Sequence, residues 1–154
     1  MTEEDLRISV KRLLARQLFG VLATRGEGGR PHLSIVSFVS VDDLGGLVFA
    51  TPRSTRKYRY LCERPEVSLF ADDRRDRMDD LMLVTGVEVS GTARELSGRD
   101  REACRGLYLA KYPELSEFAD APDTALVRIE ADRYDVVDHF QHLVVLETGP
   151  NSRR

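Results

Sequence analysis

Between Thr51 and Pro65 the chain concentrates cations and hydroxyls: Arg53, Ser54, Thr55, Arg56, Lys57, Arg59 and Arg64. An apolar strand-like run, Leu47–Thr51, precedes the cluster and is stopped by Pro52. Ser54 or Thr55 is placed to cap a helix from Thr55 to about Glu63, which Pro65 closes. The first-turn amides of such a helix have no intrahelical acceptor, and the aligned peptide dipoles add partial positive charge there. Hydroxyls from Ser54 and Thr55, the planar fork of Arg56 and the point charge of Lys57 complete a donor set suited to a phosphate dianion. A cation beside a helix N-terminus without an anion is mildly unfavourable, which favours a bound anion. On the residues alone, a solvated charged face accounts for the cluster about equally well. Arg59 and Arg64, further along or beyond the helix, are expected to be solvated.

Other chemistry-bearing residues point to less. His139 and His142 have the spacing HxxH. In a strand this spacing sends the two side chains to opposite faces, so no metal site is expected there. Cys62 and Cys104 lack paired metal-ligand spacing and read as free thiols of a reducing compartment. The run Asp72 to Asp80 reads as an exposed loop, and Tyr108 and Tyr112 as packing residues on one helix. No side chain stands out as a general acid or base.

The elements that must position the cluster are mostly strands. Thr2 and Asp5 have capping-box spacing before a helix from Glu3 to Gln17, whose apolar positions Leu6, Val10, Leu13, Leu14 and Leu18 recur at helical steps. The period then changes. Gly20–Thr24, Pro31–Val41 and Leu47–Thr51 read as antiparallel strands joined by turns at Gly26–Gly29 and Asp42–Gly46. Within Pro31–Val41, Leu33, Ile35 and Ser37 face one way and Ser34, Val36 and Phe38 the other. Further strands are expected at Glu66–Ala71, across a long β-rich run Leu81–Leu96 with a bulge near Gly86 or Gly91, at Ala125–Glu130, at Tyr134–Val137 and at Leu143–Leu146. Ser97 and Asp100 repeat the capping-box spacing at the start of a helix to Lys111. The sum predicts a mainly β fold, an antiparallel barrel of about six strands with short flanking helices. It forms one domain, residues 1–148, with a disordered tail at 149–154.

Bulk properties exclude several classes. With 154 residues, 42% hydrophobic and 32% charged, the chain is a globular domain rather than a disordered one. A net charge of −3 argues against a nucleic-acid partner. No apolar run approaches the roughly 18 residues of a membrane span. The acidic start (Glu3, Glu4, Asp5) does not suit a secretory signal, so a cytoplasmic protein is expected.

The segment Phe49 to Ala71 resembles the pyridoxamine 5′-phosphate oxidase-like flavoproteins. The pieces that carry the likeness are Phe49-Ala50-Thr51, Thr55-Arg56-Lys57, Pro65 and Val67-Ser68-Leu69, in the family's order and spacing. The leading helix, the glycine turn, the Pro31 strand, Val89-Ser90-Gly91 and Tyr134-Asp135-Val136-Val137 also fall in the expected order. The resemblance implies a split barrel that binds FMN and works as a homodimer, with the flavin sites between the two barrels. It implies an oxidoreductase acting on a small redox substrate. Carried over by position, Arg56 and Lys57 hold the FMN phosphate, with Thr55, Ser54 and Thr51 beside it and Ala50 adjoining. The strand Ser34-Ile35-Val36-Ser37-Phe38 runs along the isoalloxazine; of it, Ser34, Val36, Ser37 and Phe38 are assigned to the site, largely through backbone groups.

Departures from the family pattern bear on the substrate. Oxidases that act on pyridoxamine phosphate carry Arg and Lys in the strand beside the flavin, where this chain has Ser34 and Val39. A late Trp and a C-terminal Arg-x-His are also missing, and the chain has no Trp at all. Oxidation of pyridoxamine phosphate itself is therefore not expected. Two alternatives stand beside the flavoenzyme: a haem-binding or haem-utilisation protein on the same barrel, and a flavin-binding protein without catalysis.

Overall fold

The computed structural model describes residues 1–149; of the tail expected at 149–154, residues 150–154 lie outside the described residues. The chain opens with α1 (Glu3–Arg16), whose capping box forms as expected. Thr2 Oγ1 accepts from the Asp5 amide at 3.1 Å, and the Asp5 carboxylate accepts from the Thr2 amide at 3.0 Å. The Thr2 amide and hydroxyl, both donating to it, hold the Asp5 carboxyl below its ordinary pKa. Leu6, Val10, Leu13 and Leu14 are buried against the sheet, so α1 plugs the barrel. Leu18 does not share that face: the helix ends at Arg16, Gln17 takes the cap position, and Leu18 is exposed.

The strands number eight rather than about six: β1 (Gly20–Arg25), β2 (Pro31–Val36), β3 (Phe38–Val41), β4 (Gly46–Pro52), β5 (Glu66–Asp72), β6 (Gly86–Glu95), β7 (Thr124–Asp138) and β8 (His142–Glu147). They form one antiparallel sheet in the order β2-β1-β5-β6-β7-β4-β3, with β8 also on β7. This curled sheet is the split barrel expected from the sequence. Two differences in count have a physical cause. The run Pro31–Val41 is not one strand: it breaks at Ser37, sending β2 to pair with β1 and β3 with β4 at opposite ends of the sheet path. Conversely, Ala125–Glu130 and Tyr134–Val137 are one strand, β7, long enough to pair with β4, β6 and β8.

The long run expected at Leu81–Leu96 is also corrected. Its first residues form a one-turn helix, α3 (Asp80–Leu83), set up by the Asp80 carboxylate accepting from the Arg75 and Arg77 amides. Only Gly86–Glu95 is strand. The expected bulge is present, a register shift between Ser90 and Gly91. A Cβ at Gly91 would stand 2.0 Å from the Glu130 carbonyl oxygen, so the close approach of β6 to β7 requires glycine there.

Two apolar layers result. Inside the barrel, Leu22, Phe38, Leu47, Phe49, Leu69, Val89, Val127 and Tyr134 pack with the α1 residues. Outside it, Val48, Ala50 and Leu126 are covered by Leu96, by Cys104, Tyr108 and Tyr112 of α4 (Gly98–Lys111) and its end, and by Ala119 of α5 (Ser116–Asp120). Leu126 is thus buried despite facing away from Val127, because β7 is covered on both faces. Ser97 takes the cap position of α4 but makes no side-chain cap bond; the next residue, Gly98, has φ +60°, which turns the chain away from capping-box geometry. Among the described residues, no helix is long and apolar enough to cross a membrane.

Candidate functional site

The cation cluster opens α2 (Arg56–Glu63). Thr55, not Ser54, is the cap: its hydroxyl accepts from the Tyr58 amide at 3.4 Å and donates to the Pro52 carbonyl at 2.9 Å. The Thr51 hydroxyl lies 2.9 Å from that of Thr55. Thr51 is fully buried, so it braces the cap rather than facing solvent. The amides of Arg56 and Lys57, the first two helical residues, find no acceptor among the described residues.

The cations around α2 fall into two groups. Arg53 makes a forked pair with the Glu95 carboxylate at 3.1 and 3.0 Å, and Tyr58 donates to the same carboxylate at 2.6 Å. These bonds hold the Glu95 carboxyl below its ordinary pKa, the Arg53 bond contributing most, while the bond to Glu95 pushes the Tyr58 hydroxyl up to about 12. Arg59 pairs with Glu27 at 3.1 Å and stacks on Tyr60. Arg64 donates to the Gly26 carbonyl at 3.0 Å and lies 3.8 Å from Glu63. Arg59 and Arg64 are therefore not merely solvated, as expected from sequence: they tie α2 to the β1–β2 turn. Glu95 on β6 and Glu27 in the turn give α2 its anchors, and no local pattern in the sequence connects either of them to this helix.

Arg56 and Lys57 form the second group and have no carboxylate partner among the described residues. Lys57 is half-buried, and burial holds its ammonium below the ordinary lysine pKa. Consecutive helical positions are about 100° apart, so the two side chains diverge from the helix start. Arg56 lines a pocket of about 260 Å³ with Arg30, His32 and Tyr60. Arg30 and His32 were not singled out in the sequence, because the glycine turn that brings them to α2 has no motif linking it to that helix.

The strand assigned to the flavin ring is at the edge of the sheet path. Among the described residues β2 pairs only with β1, so its outer row of N–H and C=O groups has no strand partner there. The side chains of Val36 and Phe38 are in the barrel core, and that of Ala50 packs in the outer layer, so what these residues can offer a ligand is backbone. Ser37 and Ser54 are accessible. Ser34 Oγ is buried with no hydrogen-bond partner among the described residues.

The break at Ser37 is held from a distance. Phe38 N–H donates to the Tyr112 hydroxyl at 3.0 Å, and that hydroxyl is 2.6 Å from the Phe38 carbonyl and 2.9 Å from that of Leu18. Lys111 Nζ donates to the carbonyls of Leu14, Gln17 and Phe38 at 3.0, 2.7 and 2.9 Å. Burial pushes its pKa down to about 8. Lys111 and Tyr112 thus do more than pack: they fix both polar groups of Phe38 and the end of α1.

The two histidines differ from expectation. They do not point to opposite faces of a strand, because His139, Phe140 and Gln141 form a left-handed turn between β7 and β8. Both imidazole Nδ1 atoms lie near one Asp138 oxygen, at 3.2 and 2.8 Å. No group of three potential ligands suited to a metal ion occurs among the described residues.

Comparison with known proteins agrees with this architecture. No curated protein matches the sequence. Among solved structures, a haem-binding protein from Mycobacterium smegmatis superposes with a TM-score of 0.84 at 18% identity, covering 96% of this chain. The chain spans only 60% of that protein. A Clostridium acetobutylicum protein related to general stress protein 26, of the pyridoxinephosphate oxidase family, gives 0.74 at 18% identity over 95% of this chain and 96% of its own. A FAD-binding protein from Mesorhizobium loti gives 0.69 at 18% identity over 84% and 90%. Likeness at this identity is likeness of fold. The sequence model described as pyridoxamine 5′-phosphate oxidase matches residues 6–138, most of the chain. With the curled antiparallel sheet and the order of its elements, that match shows that the chain belongs to the pyridoxamine 5′-phosphate oxidase family.

Proposed function

We propose that the chain binds FMN and works as a flavin-dependent oxidoreductase on a small redox substrate, as a homodimer. The observation that carries this reading is the unequal treatment of the cations at α2. Arg53, Arg59 and Arg64 are each matched by a carboxylate, whereas Arg56 and Lys57 stand at the positive end of the helix with none among the described residues. Their own amides also find no acceptor among the described residues. A phosphate dianion supplies what this arrangement lacks. The open edge of β2 fits the polar edge of an isoalloxazine. In this reading Arg56 and Lys57 reach the phosphate end from two sides of the helix start, with Ser54 and Thr55 beside it and Thr51 as a brace. The backbone from Ser34 to Phe38 holds the ring, with Ala50 adjoining. Bound FMN would supply the electron transfer.

The outer face of the sheet supports the dimer. The register aligns Ile35, Val21 and Phe70 across β2, β1 and β5, with Leu33 on the same face. Leu33 and Ile35 are 65% and 70% exposed. A contiguous apolar face of this kind calls for a partner, and a second barrel is the one the family relationship favours.

The test is titration of apoprotein with FMN and riboflavin. Arg56→Ala should weaken FMN binding about ten- to a hundredfold, the worth of a charge-assisted hydrogen bond. Arg56→Ala with Lys57→Ala should leave a folded, largely colourless protein. Equal affinity of the parent for riboflavin and FMN would refute the phosphate anchor. The absorbance spectrum of the purified protein separates flavin from haem, the ligand named for the mycobacterial neighbour. NAD(P)H oxidation with a quinone or oxygen separates an enzyme from a flavin-binding protein without turnover.

A further inference from the structure

We propose that Arg30 is a second guanidinium of the phosphate pocket and sets its preference for a phosphorylated ligand; the inference rests on the FMN reading above. Arg30 closes the β1–β2 turn. Gly28 and Gly29 have φ +67° and +79°, and the Gly26 amide donates to the Arg30 carbonyl at 2.7 Å. The tight turn fixes where the Arg30 side chain leaves the backbone. The same turn is fastened to α2 by Arg59 on Glu27 and by Arg64 on the Gly26 carbonyl. The consequence is that Arg30 and Arg56, distant in sequence, line one pocket of about 260 Å³.

The walls of that pocket are committed elsewhere. Tyr60 is held between the Arg59 guanidinium, 5.2 Å from its ring centre, and the His32 ring, packed edge-to-face with the two ring centres 5.3 Å apart. Glu27 is the one carboxylate on the pocket wall, and it is paired with Arg59. Arg30 and Arg56 are left without a carboxylate partner among the described residues. Two cations sharing a small pocket repel each other unless an anion lies between them. Two guanidinium forks match the tetrahedral oxygens of a phosphate better than one. The volume is below the usual range for a whole ligand site, roughly 300–1,000 Å³, so the pocket suits the phosphate end of a longer molecule.

The experiment is calorimetric titration of the full chain and of Arg30→Gln and Arg30→Lys with FMN, riboflavin and inorganic phosphate. Arg30→Gln should weaken FMN about ten- to a hundredfold, leave riboflavin affinity unchanged, and be partly rescued by Arg30→Lys. Unchanged FMN affinity overturns the inference. An equal loss for FMN and riboflavin also overturns it, because that outcome reports a distorted turn. If the parent binds no FMN, the flavin reading falls, and inorganic phosphate decides the pocket by itself. Phosphate binding by the parent that Arg30→Gln abolishes supports the inference; equal phosphate behaviour of the two proteins overturns it.

Discussion

Replacing Tyr112 by Phe removes one oxygen from the protein interior, and its cost follows from the bonds lost. Tyr112 is buried and its ring packs in the layer outside the barrel, so Tyr112→Phe keeps the packing and opens no cavity. The hydroxyl serves three groups: the Phe38 amide at 3.0 Å, the Phe38 carbonyl at 2.6 Å and the Leu18 carbonyl at 2.9 Å. The Phe38 carbonyl keeps Lys111 Nζ at 2.9 Å, and Leu18 is exposed, so its carbonyl is within reach of water. The Phe38 amide belongs to a residue with no solvent exposure and loses its acceptor outright. A buried donor left unsatisfied costs about 1–3 kcal/mol. With a urea m-value of about 2 kcal/mol/M, the midpoint should fall by about 0.5–1.5 M with m unchanged. Because Phe38 N–H is what ends β2 at Ser37, FMN affinity should fall in the same variant while riboflavin and FMN keep their ratio. A stability loss under about 0.5 kcal/mol would refute the claim that this phenol holds the strand break.

Other expectations follow from single features. Gly91→Ala would put a Cβ 2.0 Å from the Glu130 carbonyl oxygen, against backbone that has no rotamer to yield; urea unfolding should show a loss of about 1–3 kcal/mol or more, and a neutral effect would deny the close approach. Lys111 titrates near 8 in the folded chain and near the ordinary 10.5 when unfolded. Between those values the unfolded chain holds more protons, so this group makes stability rise with pH across the window. The stability of the parent relative to Lys111→Met should therefore increase from pH 8 to 10.5, and a decrease would reverse the argument. Ile35→Glu, on the exposed face of β2, should yield a folded monomer in sedimentation; a persistent dimer would place the interface elsewhere.

The sequence by itself determined the local chemistry. Thr2 and Asp5 announced the start of α1, the glycine run announced a turn, and the hydroxyl–cation cluster announced the start of α2, because each signal acts over a few residues through backbone donors and φ preferences. The alternation of Leu33 and Ile35 against Ser34 and Val36 was legible for the same reason, since a strand fixes which side chains share a face. Tertiary structure decided what those signals left open. Pro31–Val41 reads as one strand, and only Lys111 and Tyr112, brought in by α4, break it at Ser37 by taking both polar groups of Phe38. His139 and His142 read as strand residues on opposite faces, until a turn that no nearby glycine advertises puts both on Asp138. Most of all, the sequence displayed seven cations and hydroxyls around α2 without ranking them. Glu95 and Glu27, remote in the chain, neutralise Arg53 and Arg59, and the folded turn carries Arg30 to Arg56. Charge compensation is a property of distances in space, so which cations remain for a ligand is settled only once the sheet has closed.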